Sequence, residues 1–313
     1  MKLLFVHCRR GLFQLTRCQD CGHNFACVNC SANLVTYRTD KGMFELLCHQ
    51  CQTNYPYPKK CPKCGNFKIF SRFSGIEDLA ERLIKDYQLP VIRLDKPQTK
   101  NQILSSASTI SLTTRIFDPA INYSEYDKII FIQAENLLAS PDYLVQEDIT
   151  KSLGEVFEEI KGTDTEVIFD TNDSNQNFFQ DLLKLNSENE SHINLQSWYQ
   201  EFLEHESKIR KAFRFPPFVN LLLLTSHEKT ENLSKQKLES VKAYLDAALV
   251  DFEAVTMSDV YPAKFLKRKN LFSFHLLLKF PRQYPQFVTF RSLIHKLVSS
   301  NNLQVRLNPR HLF

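Results

Sequence analysis

The chain has 313 residues, 43% of them hydrophobic, which is enough for two or three compact domains with cores of their own. No apolar run approaches the roughly 18 residues that span a bilayer, and no charged-then-apolar leader opens the chain, so the sequence reads as a cytoplasmic protein with no membrane partner. The formal net charge of +4 conceals opposed blocks, −14 over residues 69–207 and +11 over residues 208–313, so a polyanion is repelled by the middle and drawn to the C-terminal part.

KLLFV (2–6) is a short apolar run of strand type, stopped by Arg9, Arg10 and Gly11. Eight of the nine cysteines follow between residues 18 and 64, as CQDC, CVNC, CHQC and CPKC. Ser74 and Glu77 then read as a capping box ahead of the helix IEDLAERLIKDY, with Ile76, Leu79, Leu83 and Ile84 on its apolar face. Strand-like runs recur at 91–94, 109–113, 128–133 and 166–169, with a helix over 143–160 between the last two. Buried strands alternating with helices predict a doubly wound α/β unit. NSENESH (186–192) reads as a linker loop, followed by a helix over 195–213 that ends at two prolines. Beyond them the expected order is strand 219–225, helix 234–250, a strand within 252–260, strand 271–280, helix 286–300 and strand 303–307, a split-βαβ or ferredoxin-like α+β domain.

Each C-x-x-C turn places two sulfurs on one side of an ion, and four such pairs make two closed Cys₄ sites of structural rather than catalytic type. Disulfides are disfavoured by a reducing compartment, and redox chemistry needs one pair only. Only five residues separate Cys21 from Cys27, which hinders consecutive pairs from clasping one ion from opposite sides, and CQDC and CPKC share a following glycine. The pairing is therefore read as nested: Cys18, Cys21, Cys61 and Cys64 on one zinc, Cys27, Cys30, Cys48 and Cys51 on the other. Each Zn(Cys)₄ carries −2, so two of them cancel the +4 of residues 17–68. Phe25, Tyr37, Tyr55 and Tyr57 are read as a miniature core, with stacking on nucleic acid as the alternative. In the basic block, Lys264, Lys267, Arg268 and Lys269 crowd the approach to LFSFHLLLKF and are the candidate phosphate contacts.

These residues together resemble the C-terminal half of the bacterial primosomal replication-restart helicases, the primosomal protein N′ or PriA family. LLFVHCRRG is similar to the opening of that family's second RecA-like helicase lobe, which the eight-cysteine module interrupts; nested metal pairing is also what the resemblance implies. SGIEDLAERL, the trio Pro90, Arg93 and Asp95, LLASPDY, FRFPPFVNLL, YPAKFLKRKNLFSFHLLLK and LNPRHLF extend the likeness across the chain. The resemblance implies residues 1–16 as the start of the second lobe, 17–68 as the two-zinc module, 69–185 as the rest of a degenerate lobe, 186–213 as linker and helix, and 214–313 as the basic C-terminal domain.

The departures from the family pattern bear on activity. None of the seven glycines is followed by lysine and then a hydroxyl residue, so the sequence holds no P-loop, and it has no acidic helicase box; ATP is not an expected ligand. The family's Gly-Thr-Gln…Lys-Gly motif stands here as LTTRIFDPA, and its arginine-finger motif as SLGEVFEEI, with acids in place of arginines. The favoured function is a non-enzymatic replication-restart or primosomal protein that binds DNA, forked or single-stranded, and partner proteins of the primosome. The alternatives are the second half of a split helicase completed by a P-loop lobe in trans, and a zinc-ribbon adaptor that binds protein alone.

Overall fold

In the computed structural model, which describes residues 1–39, 41–95, 109–187, 195–250, 252 and 254–312, the apolar runs become strands and the amphipathic runs helices. β1 (Lys2–Val6) leads into β2 (Phe13–Cys18), β3 (Val35–Arg38), β4 (Phe44–Leu47), β5 (Asn54–Pro56) and β6 (Ile69–Ser74). The chain continues as α1 (Ile76–Tyr87), β7 (Val91–Arg93), β8 (Thr109–Thr113), β9 (Lys128–Phe131), α2 (Val145–Glu159), β10 (Glu166–Phe169), α3 (Asn177–Ser187) and α4 (Leu195–Ala212). Last come β11 (Val219–Glu228), α5 (Glu231–Ala248), β12 (Thr256–Met257), β13 (Tyr261–Arg268), β14 (Leu271–Pro281), α6 (Phe287–Asn301) and β15 (Gln304–Leu307). Two compact units result: Met1–Ala26 with Asn33–Ser140 and Val145–Glu201, and Cys27–Ala32 with Pro141–Leu144 and Phe202–Phe313. No helix among the described residues is long and apolar enough to cross a membrane.

The first unit is built on an all-parallel sheet in the order β10-β9-β1-β8-β7. Strand alternation sends Leu3 and Phe5 to the face covered by Ile76, Leu79 and Leu83 of α1. Leu4 and Val6 go to the other, covered by Ile149, Leu153, Val156 and Phe157 of α2. Burial on both faces is why these strands read as unbroken apolar runs. On α1 the buried residues are Ile76, Leu79, Ala80 and Leu83, spaced i, i+3, i+4, i+7. Ile84 lies 100° past Leu83 and is exposed, so Ala80 takes the place the sequence reading gave it.

The insertion between β1 and α1 is a second sheet, antiparallel, in the order β5-β4-β3-β2-β6. Its first and last strands pair with each other, so the insert closes on itself at its base. Beneath the pairing lies a hydroxyl cluster instead of an apolar layer: Thr16, Thr36 and Ser71 hydrogen-bond mutually at 3.0–3.1 Å, and Tyr57 reaches Ser71 at 3.1 Å. The expected capping box does not form. Gly75 is the N-cap of α1 and donates no side chain; the Ile76 and Glu77 amides bond instead to the Arg9 and Gly11 carbonyls at the neck of the insert. A Cβ at Gly75 would stand 2.2 Å from the Gly11 carbonyl oxygen, so the two strands of the neck require glycine there. Glu77, freed from capping, pairs with Arg93 at 3.0 Å, and Arg93 also reaches Asp95 at 2.7 Å.

The second unit has an antiparallel sheet in the order β12-β14-β11-β15, with β13 also paired to β14. One face carries Leu222, Leu224, Phe274, Leu276, Leu278 and Phe280 against Leu238, Val241 and Leu245 of α5 and Phe290, Ile294 and Leu297 of α6. The succession is strand, helix, short strand, strand pair, helix, strand. β13 is the difference from the sequence reading, which expected no strand between 260 and 271. The linker reading at 186–192 falls partly on α3, which extends to Ser187, and otherwise outside the described residues.

Candidate metal centres and basic hairpin

Each C-x-x-C segment folds into the same six-residue knuckle. The amide of the first cysteine donates to the carbonyl five residues on, in the pairs Cys18–His23, Cys27–Ala32, Cys48–Thr53 and Cys61–Asn66. The carbonyl of that cysteine accepts from the amide four residues on, that of Gly22, Ser31, Gln52 and Gly65 in turn. That fifth residue is left-handed in all four, with φ of 70°, 59°, 60° and 75°. Two of the four are the glycines visible in the sequence; Ser31 and Gln52 adopt the same conformation without that signal.

The knuckles meet in the nested pairing. The sulfurs of Cys18, Cys21, Cys61 and Cys64 all lie within 4.8 Å of one another, as do those of Cys27, Cys30, Cys48 and Cys51. Within the first group Cys18 and Cys64 are 3.7 Å apart and Cys21 and Cys61 3.6 Å. In the second group Cys27, Cys30 and Cys48 are buried and Cys51 is exposed. Burial raises the Cys61 thiol, but the amides of Cys64 and Lys63 and the thiols of Cys21 and Cys64 outweigh it and bring it down to about 7. Cys64 moves to about 12: the Asn66 amide lowers it, while the thiols of Cys21, Cys18 and Cys61 and burial raise it further. Four adjacent sulfurs cannot all be thiolates without a cation among them, so each group is a donor set that could hold a metal ion. Cys8 stands outside both groups.

Of the aromatic residues in this sheet, Phe25 is buried and Tyr37, Tyr55 and Tyr57 are half-buried. Tyr37 bonds His49 Nε2 at 2.8 Å, and burial pushes its hydroxyl up to about 12. Arginine–aromatic pairs were not read from sequence: Arg38 over Phe44 at 5.6 Å, Arg72 over Phe70 at 4.7 Å and Arg9 over Phe73 at 5.2 Å. The alternation in IFSRFS was the available signal.

The four candidate phosphate contacts lie on the β13–β14 hairpin. Lys269 and Asn270 form its two-residue turn, both left-handed, with φ of 49° and 62°, and Arg268 pairs across to Leu271. Lys264, Arg268 and Lys269 are exposed. Lys267 is committed elsewhere: its Nζ donates to the Val28 carbonyl at 3.2 Å and sits 5.7 Å from the Phe272 ring centroid.

No protein-family model matches the chain. Among the curated proteins it is similar to are several named replication restart protein PriA. With that of Borreliella burgdorferi it shares 26% identity over 245 residues, 75% of this chain and 35% of the relative. With that of Thermotoga maritima it shares 26% over 258 residues, 78% and 32% respectively. With that of Synechocystis it shares 23% over 322 residues, 98% and 37%. The chain spans about a third of the length of these curated relatives.

Proposed function

We propose that this chain is a replication-restart, primosome-type protein that binds forked or single-stranded DNA and partner proteins through a two-zinc module and a basic C-terminal domain, without helicase activity of its own. The observation that carries the reading is the likeness to PriA proteins across most of the chain, joined to two closed Cys₄ groups in one insert. Zinc suits the donor set: four sulfurs about 2.3 Å from the ion form a tetrahedron with edges of roughly 3.8 Å, close to the 3.6 and 3.7 Å separations in the first group. The five-stranded parallel sheet with helices on both faces supports a RecA-like second lobe for residues 1–16 and 69–185 around the module at 17–68. In the last hundred residues, a helix-backed sheet with its fourth, first, third and second main strands side by side supports the split-βαβ reading for 214–313.

DNA affinity in this reading comes from phosphate contacts of the basic block and falls steeply between about 50 and 200 mM salt. Lys267 is a poor probe because its charge already serves the Val28 carbonyl. The informative variant is Lys264→Glu with Arg268→Glu and Lys269→Glu, whose side chains are exposed. It is expected to weaken fork and single-strand binding and to flatten the salt slope; unchanged binding in a folded triple variant removes the hairpin from the interface. Absence of ATP turnover follows from the lack of a P-loop in these residues and from Glu155 and Glu158 on α2, which repel a triphosphate. DNA-stimulated ATP hydrolysis by the purified chain would overturn that part.

A further inference from the structure

Between α2 and the start of α4 the first unit has a cleft of about 420 Å³, lined by Thr150, Lys151, Gly154, Glu155, Glu158, Gln196, Trp198 and Tyr199. That volume falls in the range of small-ligand sites. The cleft has two carboxylates against one ammonium, and Lys161 stands 4.0 Å from Glu158 at its margin. Thr150 is fully buried, and its hydroxyl has no hydrogen-bond partner among the described residues. That hydroxyl has almost no accessible surface, so it borders the cleft without being offered to a ligand in it. Gly154 leaves the floor open, since a Cβ there would meet nothing within 4 Å. Trp198 is 6% exposed and fixed edge-on to Phe157 at 5.9 Å, so the aromatic wall is rigid.

We propose that this cleft binds a guanidinium group, as an arginine side chain presents it. A guanidinium is a planar cation with several N–H donors: it can fork to Glu155 and Glu158 and lie against Tyr199 and the exposed edge of Trp198. A lysine ammonium matches the charge but not the planar stacking, and a phosphate is repelled by both carboxylates. The proposal uses none of the hairpin residues of the DNA-binding reading, although Glu155 and Glu158 also underlie the expected absence of ATP turnover.

Trp198 is the one tryptophan in the chain, so its emission reports on this cleft. Titration of the full chain with Nα-acetyl-arginine amide is expected to give a saturable change in that emission. Glu155→Gln with Glu158→Gln, both at exposed positions, weakens binding about tenfold or more, the loss of a charge-assisted contact. Gly154→Leu abolishes it by filling the open floor. Tighter binding of free arginine assigns the site to the amino acid, whose carboxylate would meet Lys151; weaker binding assigns it to an arginine carried by a partner protein. No saturable response to either compound, an equal response to the uncharged citrulline analogue, a saturable response to ATP, or wild-type affinity in the folded double variant overturns the proposal.

Discussion

The fifth residue of each knuckle shows how a backbone demand can be met with and without glycine. A non-glycine residue in the left-handed region is strained by about 1–2 kcal/mol, and Ser31 and Gln52 carry that strain while Gly22 and Gly65 avoid it. Gly65→Val is therefore expected to loosen the first metal group by about tenfold in competition with a chelator, and Gln52→Gly to leave the second at least as tight. Apart from its chain neighbours no atom lies within 4 Å of a Cβ at residue 65, so a clash at that atom does not add to the backbone strain. Another residue-scale expectation concerns His275, buried between β11 and β13, with its Nδ1 2.8 Å from Thr225 Oγ1 and its ring 5.5 Å from that of Tyr261. Burial, with the nearby charges of Arg306 and His227, lowers its pKa from 6.5 to about 4. The folded value is the lower one, so the neutral ring's contribution is fully present above pH 6.5 and is lost as pH falls toward 4. At full extent this amounts to about 3 kcal/mol. Urea midpoints of wild type and His275→Gln, compared at pH 7.5 and 5, should converge in acid; parallel pH dependence would discount the residue.

Among elements, the parallel strands were legible because burial on both faces writes them as apolar runs that no competing pattern imitates. The same held for α1, α2, α4, α5 and α6, whose apolar stripes recur at helical spacing. The strands of the cysteine-bearing sheet were not legible: they are three to six residues long, mix polar with apolar side chains and rest on a hydroxyl cluster. β13 was hidden for a different reason. Its register shifts between Pro262 and Lys267, which breaks the two-residue alternation, and its lysines imitate a solvated turn. The capping pattern at Ser74 misled because the neck of the insert supplies backbone carbonyls in its place. Nested pairing of the cysteines was legible from spacing and the shared glycine, whereas the cleft beside Trp198 depends on α4 returning to α2, which no local pattern encodes. Adjacent residues on α1 test how sharply the helical stripe is drawn. Leu83→Ala should cost about 2–5 kcal/mol in chemical unfolding and Ile84→Ala under about half a kcal/mol, since the first is buried and the second half-exposed. Equal losses would mean that α1 is rotated relative to the sheet.

For the whole molecule, stability is divided unequally between the parallel sheet and its insert, and metal removal should expose the division. Residues 12–74 bury few large apolar side chains other than cysteine, namely Leu12, Phe25, Leu34, Val35 and Leu46. Five such residues contribute on the order of 10 kcal/mol, at about 2 kcal/mol each, far below the ordering entropy of some sixty residues. The insert is therefore expected to need metal ions in its two Cys₄ groups in order to fold. The parallel sheet has two cores of its own, one on each face, and the C-terminal sheet has another against α5 and α6. A chelator strong enough to strip both Cys₄ groups should open the insert to protease and hydrogen exchange up to its neck near Gly11 and Gly75, while β1, α1 and the strands beyond stay protected. Elemental analysis should find two zinc ions per chain before treatment, and Cys8→Ser should leave that count unchanged because Cys8 belongs to neither group. One metal or none in protein purified without chelator would refute the two-site reading. Uniform loss of protection across the chain on stripping would refute the separate cores, since the parallel sheet would then require the insert for its own folding.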